Sequence, residues 1–329
     1  MGNILVTGGA GYIGSHVVKQ LGRSDDSLIV LDNLTTSSKD AVLCGELIRG
    51  DVGDMDLVSD LMVQHRIDTV MHFAAKTVVP DSVADPLSYY ENNTMQTRNL
   101  IQCCVDHDVQ HFVFSSTAAV YGNPESGVAS EETATNPVNP YGTSKLMSEL
   151  MLRDACAAGS LRAVVLRYFN VAGCDPGGRI GQSTPNATLL VKVLAEQICG
   201  KRASVKLFGT DYGTRDGTCI RDYIHVEDLA AAHLKALDYL REGGPSVTLN
   251  CGYGRGFTVR EVMDAVERAA GQKLAVEEVG RRPGDPEALI ANADRIRTVL
   301  GWTPELDSLD QIVRSALAWE RKLASQDKS

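Results

Sequence analysis

Near the N-terminus stands the stretch Asn3-Ile4-Leu5-Val6-Thr7-Gly8-Gly9-Ala10-Gly11-Tyr12-Ile13-Gly14. It begins with an apolar run of the length of a buried strand, and a helical pattern of apolar residues begins near Tyr12. The glycines between them fit Gly9-x-Gly11-x-x-Gly14 and the spaced variant Gly8-x-x-Gly11-x-x-Gly14. Without Cβ atoms, a pyrophosphate can approach the free N–H groups of the helix N-terminus. The stretch therefore predicts a dinucleotide-binding strand–turn–helix unit.

A second apolar run at 28–32 predicts the next strand, which ends at Asp32, 18 residues after Gly14. A carboxylate at this position binds the adenosine ribose hydroxyls in dinucleotide-binding folds. Asn33 and Leu34 follow and bring no cation to neutralise a 2′-phosphate, so NAD is predicted rather than NADP. Asp51, after a third strand at 46–50, is either a contact to the adenine edge or an ordinary loop residue.

Strand-like and helical patterns alternate along the first half of the chain. Strands are predicted at 3–7, 28–32, 46–50, 69–73, 111–116 and 162–168, and helices at 12–22, 55–65, 86–107 and 141–159. Such alternation is typical of an α/β protein, in which a doubly wound parallel sheet carries helices on both faces.

The pattern changes beyond Asn170. Residues 176–219 are expected to be irregular apart from a helix at 188–199, after which helix 226–242 and strand 246–250 return to the first domain. The predicted organisation is a dinucleotide-binding domain at 1–175, joined by 220–252, and a smaller, interleaved domain formed mainly by 176–329.

Composition excludes several classes of protein. The 329 residues carry a net charge of −10, which argues against nucleic acid or an anionic membrane as a partner. No apolar run has the length of a membrane span. The eight cysteines lack C-x-x-C spacing and are expected to be reduced thiols in a cytoplasmic protein. The seven histidines show no ligand spacing, so no metal site is expected.

The segment Tyr141-Gly142-Thr143-Ser144-Lys145 follows Pro140, a residue that suits a helix start. Tyr141 and Lys145 are at i and i+4 and share one helix face. A nearby cation lowers the pKa of a phenol, which then accepts a hydroxyl proton as hydride leaves the same carbon. Thr117, at the end of the strand 111–116, is expected to bind the reacting hydroxyl. The alternative is a solvated amphipathic helix.

Motifs spread along the whole chain resemble those of the extended short-chain dehydrogenase/reductase family and, within it, the UDP-galactose (UDP-glucose) 4-epimerases. The segments that carry the resemblance are Thr7 to Ser15, Asp32-Asn33-Leu34, His72-Phe73-Ala74-Ala75, Tyr89 to Asn93, Phe114 to Gly122, Pro140 to Lys145, Arg167-Tyr168-Phe169-Asn170, Gly209-Thr210-Asp211-Tyr212, Asp216-Gly217-Thr218, Arg221 to Val226 and Arg281-Arg282-Pro283-Gly284-Asp285.

The resemblance implies a set of binding residues in addition to the catalytic Tyr141, Lys145 and Thr117. For NAD these are Gly8, Gly11, Tyr12, Ile13, Gly14, Asp32, Asn33, Leu34, Thr35, Thr36, Ser37, Asp51, Val52, Phe73, Ala74, Ala75, Asn92, Ser115, Tyr141, Lys145, Tyr168 and Phe169, with Phe169 closing over the nicotinamide. For a UDP-sugar they are Thr117, Tyr141, Asn170, Leu189, Lys206, Leu207, Phe208, Arg221, Tyr223, Arg282, Asp285 and Leu289. The arginines agree with the chemistry, because a diphosphate in an acidic protein needs cations.

The reaction implied by the resemblance is the interconversion of UDP-glucose and UDP-galactose. Tyr141 would remove the C4 hydroxyl proton, hydride would pass to tightly held NAD, and the 4-keto sugar would turn and receive hydride on its other face. Members of the family usually form homodimers through two helices, here 92–107 and 143–158. Val105, Leu146, Leu150 and Leu152 supply either that face or internal core packing.

Several alternatives stay open. Related dehydratases and decarboxylases usually carry an acid just after the equivalent of Thr117, where this chain has Ala118-Ala119, so that chemistry is disfavoured. Leu289 replaces a bulky Tyr of some members, which suggests that UDP-N-acetylhexosamines are also accepted; UDP-pentoses are a further alternative. Leu189 would contribute only its backbone, and the roles of Lys76 and Thr77 stay open. A non-catalytic NAD sensor is disfavoured because the catalytic pair is present.

Overall fold

The structure is a computed structural model and describes residues 2–282 and 284–326. Met1, Pro283 of the Arg281–Asp285 motif and the last three residues of the predicted 176–329 segment lie outside the described residues.

The strands are β1 (Asn3–Thr7), β2 (Ser27–Asp32), β3 (Glu46–Arg49), β4 (Thr69–His72), β5 (His111–Thr117), β6 (Val128–Ala129), β7 (Arg162–Tyr168), β8 (Asn170–Ala172), β9 (Val205–Phe208), β10 (Ile220–His225), β11 (Val247–Cys251), β12 (Gly256–Thr258), β13 (Val276–Val279) and β14 (Ala288–Ala291). The α-helices are α1 (Tyr12–Leu21), α2 (Met55–Gln64), α3 (Val79–Ala84), α4 (Pro86–Tyr89), α5 (Gln96–Asp106), α6 (Pro140–Ala158), α7 (Leu190–Ile198), α8 (Val226–Arg241), α9 (Val259–Ala270), α10 (Asp294–Leu300) and α11 (Leu309–Gln326). A π-helical segment, Tyr90–Met95, joins α4 to α5.

A seven-stranded sheet with the order β11-β7-β5-β4-β1-β2-β3 forms the centre of the fold. All of its neighbouring strands are parallel. Because side chains alternate along a strand, Ile4 and Val6 pack into a core layer with α1 and α8, whereas Leu5 packs on the other face with α2, α5 and α6. The predicted doubly wound α/β fold is confirmed.

The later strands build two smaller sheets beside the large one. β12, β10, β14 and β6 pair in that order, and β8 also pairs with β10. β9 and β13 form a separate parallel pair. The chain also returns to the large sheet, because β11 pairs with β7.

Helix α8 is joined to α1 by buried charges. Glu227, in the first turn of α8, accepts hydrogen bonds from Lys19 and Gln20 of α1. Lys19 also donates to Asp175, at 2.8 Å, in the turn that follows β8. The two parts of the chain are therefore interlocked, and the division into two domains stays a prediction.

Two secondary-structure predictions are wrong. Residues 176–219 contain not only α7 but also β9, whose Val205-Lys206-Leu207-Phe208 alternates between the core and the surface. This alternation was too short to identify a strand from sequence. The predicted helix 86–107 is interrupted by the π-helical segment. The boundaries predicted for β1 to β5, β7, β11, α1, α2 and α6 to α8 agree with the structure to within two residues.

The packing also bears on three other predictions. Leu152 lies in the core beneath the sheet and is 1% exposed, so it is not part of an exposed interface. All eight cysteines are free thiols, as predicted. Among the described residues, no helix has both the length and the apolar character that a bilayer crossing needs.

Candidate active site

The predicted site residues gather where the strand order reverses. β1 lies between β2 and β4, so the connections from these strands leave the carboxyl edge of the sheet in opposite directions. A crevice at such a reversal is where doubly wound sheets bind nucleotides. The glycine stretch follows β1 at this edge. Helix α6, which carries Tyr141, lies between β5 and β7 in the chain and begins at the same edge.

The glycine turn leaves no room for side chains. Gly8 has a φ of +69°, and a Cβ there would lie 2.5 Å from the Ala74 amide nitrogen. A Cβ on Gly14 would lie 2.3 Å from the Gly8 carbonyl oxygen. Gly11 caps α1 without a side-chain hydrogen bond, and the first turn contains no acidic residue. The turn therefore fits a pyrophosphate at a free helix N-terminus.

Asp32 is fixed at the end of β2. Its carboxylate accepts hydrogen bonds from the Ala10 amide at 3.0 Å, the Leu34 amide at 2.9 Å and the Ser37 hydroxyl at 2.8 Å. Leu34 adopts a φ of +59°, which is uncommon for a residue with a side chain. Two carboxylate oxygens offer about four acceptor positions, so about one is left for a ribose hydroxyl.

The residues after Asp32 and after β3 lie close together. Asn33 donates to the Asp51 carboxylate at 3.0 Å, and the same carboxylate accepts from the Gly53 amide at 2.8 Å. Val52 is buried beside them, whereas Thr35 and Thr36 are exposed. The structure thus places Asp51 next to the loop that follows Asp32. This position is compatible with a contact to the adenine edge, which stays a prediction.

The π-helical segment holds the loop after β4. The Lys76 amide donates to the side-chain oxygens of Asn92, at 3.0 Å, and Asn93, at 2.8 Å. Asn93 also donates to the Ser144 hydroxyl at 3.0 Å. Phe73, Ala74 and Ala75 are therefore clamped beside the start of α6. Lys76 and Thr77 themselves are exposed.

Helix α6 begins with the side chain of Asn139, which accepts from the Gly142 amide at 2.9 Å, and with Pro140 in its first turn. This cap places Tyr141 and Lys145 in the first turns, where they are 7% and 3% exposed. The solvated-face alternative is therefore wrong. The hydroxyl of Tyr141 is hydrogen-bonded to Thr117 at the end of β5.

Burial dominates the pKa values of this pair. It raises the pKa of Tyr141 far above the usual value; Tyr168 adds to this effect, and the hydrogen bond with Thr117 opposes it. Burial lowers the pKa of Lys145 to about 7, and the negative charge of Glu149 opposes that shift. In the chain without its cofactor, desolvation of the phenol therefore outweighs any lowering by the nearby cation, and the activation of Tyr141 by Lys145 stays a prediction.

Aromatic side chains of β5, β7 and the residue after β7 lie around the site. The Lys145 ammonium lies 4.3 Å from the centre of the Phe114 ring. Ser115 donates to the Tyr168 hydroxyl at 3.2 Å. Phe169 packs in the core layer that contains α1 and α8.

The predicted substrate residues meet around a cluster of arginines. Arg221 of β10 and Arg282 lie 3.9 and 3.8 Å from the two carboxylate oxygens of Asp285. The Arg282 guanidinium stacks 4.1 Å above the Phe208 ring. Leu289 of β14 stands beside Arg221 in the strand register and is buried.

Other predicted substrate residues are less uniform. Asn170 of β8 is the register partner of the buried Tyr223 in β10. The Leu207 side chain lies in the core, Lys206 is exposed, and Leu189 caps the N-terminus of α7. Leu207 is thus limited to backbone contacts with a ligand, whereas the expectation that Leu189 contributes only its backbone stays a prediction. Acceptance of N-acetylated sugars stays a prediction.

Sequence reasoning missed a charged residue behind the catalytic pair. Glu149 forms a buried ion pair with Arg167, and its only sequence signal is the spacing of four residues that also relates Tyr141 to Lys145. His72 was noted only as part of a motif; it is bonded on both sides, by Thr7 at 2.6 Å and Thr97 at 2.8 Å.

A buried phenol, its threonine partner and an ammonium beside a dinucleotide cradle suit an enzyme that moves a proton and a hydride at an alcohol carbon. The sequence model of the NAD dependent epimerase/dehydratase family matches residues 4–252. The chain belongs to this family.

Named relatives agree with the family over nearly the full length. A UDP-glucose 4-epimerase of Azospirillum brasilense is 54% identical, covering 97% of this chain and 92% of the relative. The structure of UDP-glucose 4-epimerase from Brucella ovis in complex with NAD is similar with a TM-score of 0.95 and 40% identity, covering 98% and 99% of the two chains. The Bifidobacterium longum enzyme in complex with NAD+ and UDP gives a TM-score of 0.92 and 38% identity, covering 97% and 98%.

Proposed function

We propose that this chain is an NAD-dependent enzyme that interconverts UDP-glucose and UDP-galactose by inverting carbon C4, an activity that belongs to galactose metabolism. The observation that carries the proposal is the buried Tyr141–Thr117 contact with Lys145 on the same helix face, next to the glycine cradle. Full-length similarity to UDP-glucose 4-epimerases supports the choice of substrate.

The cradle and Asp32 hold the cofactor in this proposal. The free N-terminus of α1 binds the pyrophosphate, and the fixed Asp32 carboxylate binds the adenosine ribose. When bound there, NAD would supply a reversible hydride acceptor for C4, so that the reaction would consume no cofactor. Phe73, Tyr168 and the π-segment residue Asn92 shape the rest of this pocket.

Tyr141 moves the proton. Its ionised phenol accepts the C4 hydroxyl proton, and Thr117 holds the same oxygen of the sugar. The Lys145 ammonium favours the ionised phenol and offsets part of the effect of burial. When the sugar has turned its other face towards the site, Tyr141 returns the proton to the C4 oxygen.

Arg221, Arg282 and Asp285 hold the UDP. The two guanidinium groups bind the diphosphate, Phe208 lies against the base, and Asp285 accepts from ribose hydroxyls. A tether at the diphosphate leaves the sugar free to rotate, which the inversion of C4 requires.

A conversion assay tests the proposal. Purified protein that retains NAD is incubated with UDP-galactose, and sugar nucleotides are separated by chromatography while the absorbance of the reduced cofactor is recorded. We expect UDP-glucose without added reductant, and the same final mixture from either substrate. Retained cofactor without interconversion would contradict the proposal. Parallel reactions with UDP-N-acetylgalactosamine and UDP-xylose measure the breadth of sugar use.

Replacing Arg221 with methionine should weaken UDP binding by about tenfold to a hundredfold, because it removes a charge-assisted hydrogen bond to phosphate. Calorimetric titration with UDP measures the loss. Arg281→Met is the matched control, since Arg281 instead pairs with Asp211 at 2.8 Å and stacks on Tyr212. Equal losses in the two variants would contradict the assignment of Arg221.

We also infer that the protein forms a homodimer. α4, the π-helical segment, α5 and α6 pack against one another and carry exposed apolar side chains, and exposed apolar patches are typical of interfaces. They are Leu87, Met95, Val105, Met147 and Leu150. The free thiols fit a reducing compartment, and we propose the cytoplasm.

A negative charge in this patch should dissociate the dimer. Leu150→Glu is expected to raise the dimer dissociation constant by about tenfold or more, because the charge would be buried without a partner. Analytical ultracentrifugation measures the change, with Val63→Glu on the exposed side of α2 as control. A monomeric wild type, or a Leu150→Glu dimer of unchanged affinity, would refute this interface.

A further inference from the structure

A buried ion pair lies one helical turn beyond Lys145. Glu149 of α6 and Arg167 of β7 are 5% and 7% exposed. The Arg167 Nη2 atom is 2.6 Å from Glu149 Oε2, and its Nε atom is 3.1 Å from each carboxylate oxygen. This forked contact in a dry environment holds both side chains in one geometry.

The pair joins the catalytic helix to two strand ends. Ser116 of β5 donates to the Glu149 carboxylate, and Ser116 and Arg167 are partners in the β5–β7 register. Thr117 follows Ser116 directly. Movement of Glu149 would therefore change the position of α6 relative to the strand that carries Thr117.

Arg167 is held from its other side as well. Its Nη1 atom donates to the Tyr121 hydroxyl at 3.1 Å, and this hydroxyl donates to the Asn250 side-chain oxygen at 2.7 Å. Every polar group in this chain of contacts has a partner. The network spans α6, β5, β7 and, through Asn250, the end of β11.

Fold stability alone does not account for such a pair. A buried ion pair can often be replaced by packed apolar side chains without loss of stability, because removing two charges from water offsets their attraction. The pair lies one helical turn from the Lys145 ammonium, and this location indicates a role in the site.

The groups that face Lys145 are few. On α6, Tyr141 precedes it by one turn and Glu149 follows by one turn. His72 approaches from β4, and burial lowers the pKa of His72 to about 3, so this ring is neutral near pH 7. The Phe114 ring of β5 lies beneath the ammonium. The other ionisable groups near Tyr141 are Tyr89 and Tyr168.

We propose that Glu149 and Arg167 are positioning residues for the catalytic pair: as a balanced ion pair one helical turn beyond Lys145, they hold α6 against the strand that carries Thr117 and add no net charge near the buried ammonium. The inference rests on the proposed function, in which the Lys145 ammonium assists Tyr141.

The sign of the charge makes the proposal testable. The pH profile of kcat/KM reports the coupled titration of Tyr141 and Lys145. Glu149→Gln leaves the positive charge of Arg167 unbalanced, which lowers both apparent pKa values and moves the pH optimum down. Arg167→Met leaves a negative charge and moves the optimum up. We expect a shift of about one pH unit in each direction.

Further variants separate charge from packing. The double variant Glu149→Gln/Arg167→Met is neutral, and its optimum should return towards that of the wild type. Arg167→Lys keeps the charge and should leave the optimum in place. Glu320→Gln removes a buried carboxylate of α11 that is bonded to Lys192, and it should lower thermal stability without moving the optimum. Bound NAD and thermal unfolding are measured for each variant.

Optima that shift in the same direction in both single variants, or not at all, would overturn the proposal. If Arg167→Met does not fold, Glu149→Gln is compared with the double variant, from which it differs by one charge; equal optima would then reject the proposal. Wild-type protein that retains NAD but does not convert UDP-galactose would refute the proposed function instead. In that case, the ionisation of Tyr141 is measured directly in Glu149→Gln and Arg167→Met. Ultraviolet difference spectra are recorded against pH, and the spectra of the same variants carrying Tyr141→Phe are subtracted. Opposite shifts in the two variants would support the role of the pair, and equal shifts or none would reject it.

Discussion

Tyr141→Phe is expected to lower the turnover of UDP-galactose by about a hundredfold to ten-thousandfold, the range found when a positioned acid–base group is removed. Phenylalanine fills the same buried space but offers no oxygen to accept the C4 proton. Among the described residues, the contact that this change removes is the hydrogen bond between Tyr141 and Thr117. Steady-state rates at saturating UDP-galactose measure the effect.

The accompanying binding properties should be almost unchanged. Tyr141 makes no contribution to the glycine cradle or to the arginine cluster, so bound NAD and the affinity for UDP should match those of the wild type. Tyr90→Phe, in the π-helical segment, is a suitable control for the loss of a phenolic hydroxyl elsewhere. Turnover within a few-fold of the wild type in Tyr141→Phe would remove Tyr141 from the proton-transfer step.

Gly14→Ala should weaken NAD binding by about tenfold to a hundredfold, because overpacking of this size costs about 1–3 kcal/mol. The added methyl group would lie 2.3 Å from the Gly8 carbonyl oxygen and 2.8 Å from the Gly9 Cα atom. Both are backbone atoms of the turn, so relief requires the cradle itself to widen. The cofactor content of purified protein, and titration of cofactor-free protein with NAD, measure the loss.

Gly159→Ala provides the matched control. Gly159 ends α6, and a Cβ there would meet its nearest neighbour, the Ala155 carbonyl oxygen, at an ordinary 3.7 Å. Its NAD binding should equal that of the wild type. If Gly14→Ala also retains its cofactor at wild-type affinity, the glycine turn is not the pyrophosphate site.

The large sheet could be predicted from sequence because its strands are long, apolar and separated by periodic helices. Ile4, Val6 and their neighbours are buried on both faces, and a run without alternation indicates this directly. β9 could not be predicted, because four alternating residues are also common in loops. The π-helical segment could not be predicted either, since its hydrogen bonds to Lys76 and Ser144 depend on distant parts of the chain.

The candidate site shows the same division. Tyr141, Lys145 and Asp32 stand at spacings that carry chemical meaning, so they could be identified before the fold was known. Glu149 has no such motif, and its partner Arg167 is distant in sequence. The pKa of Tyr141 depends on how completely the fold removes the phenol from water, which no spacing reveals.

The path of the chain between the sheets limits how this protein can be shortened. The chain builds β8, β10 and then α8, which packs on α1, before β11 completes the large sheet. A fragment that ends at residue 175 would expose the apolar sides of α1 and β7 and leave Lys19 without the Glu227 carboxylate. We therefore expect that truncations for expression or crystallisation should preserve the chain through the end of β11.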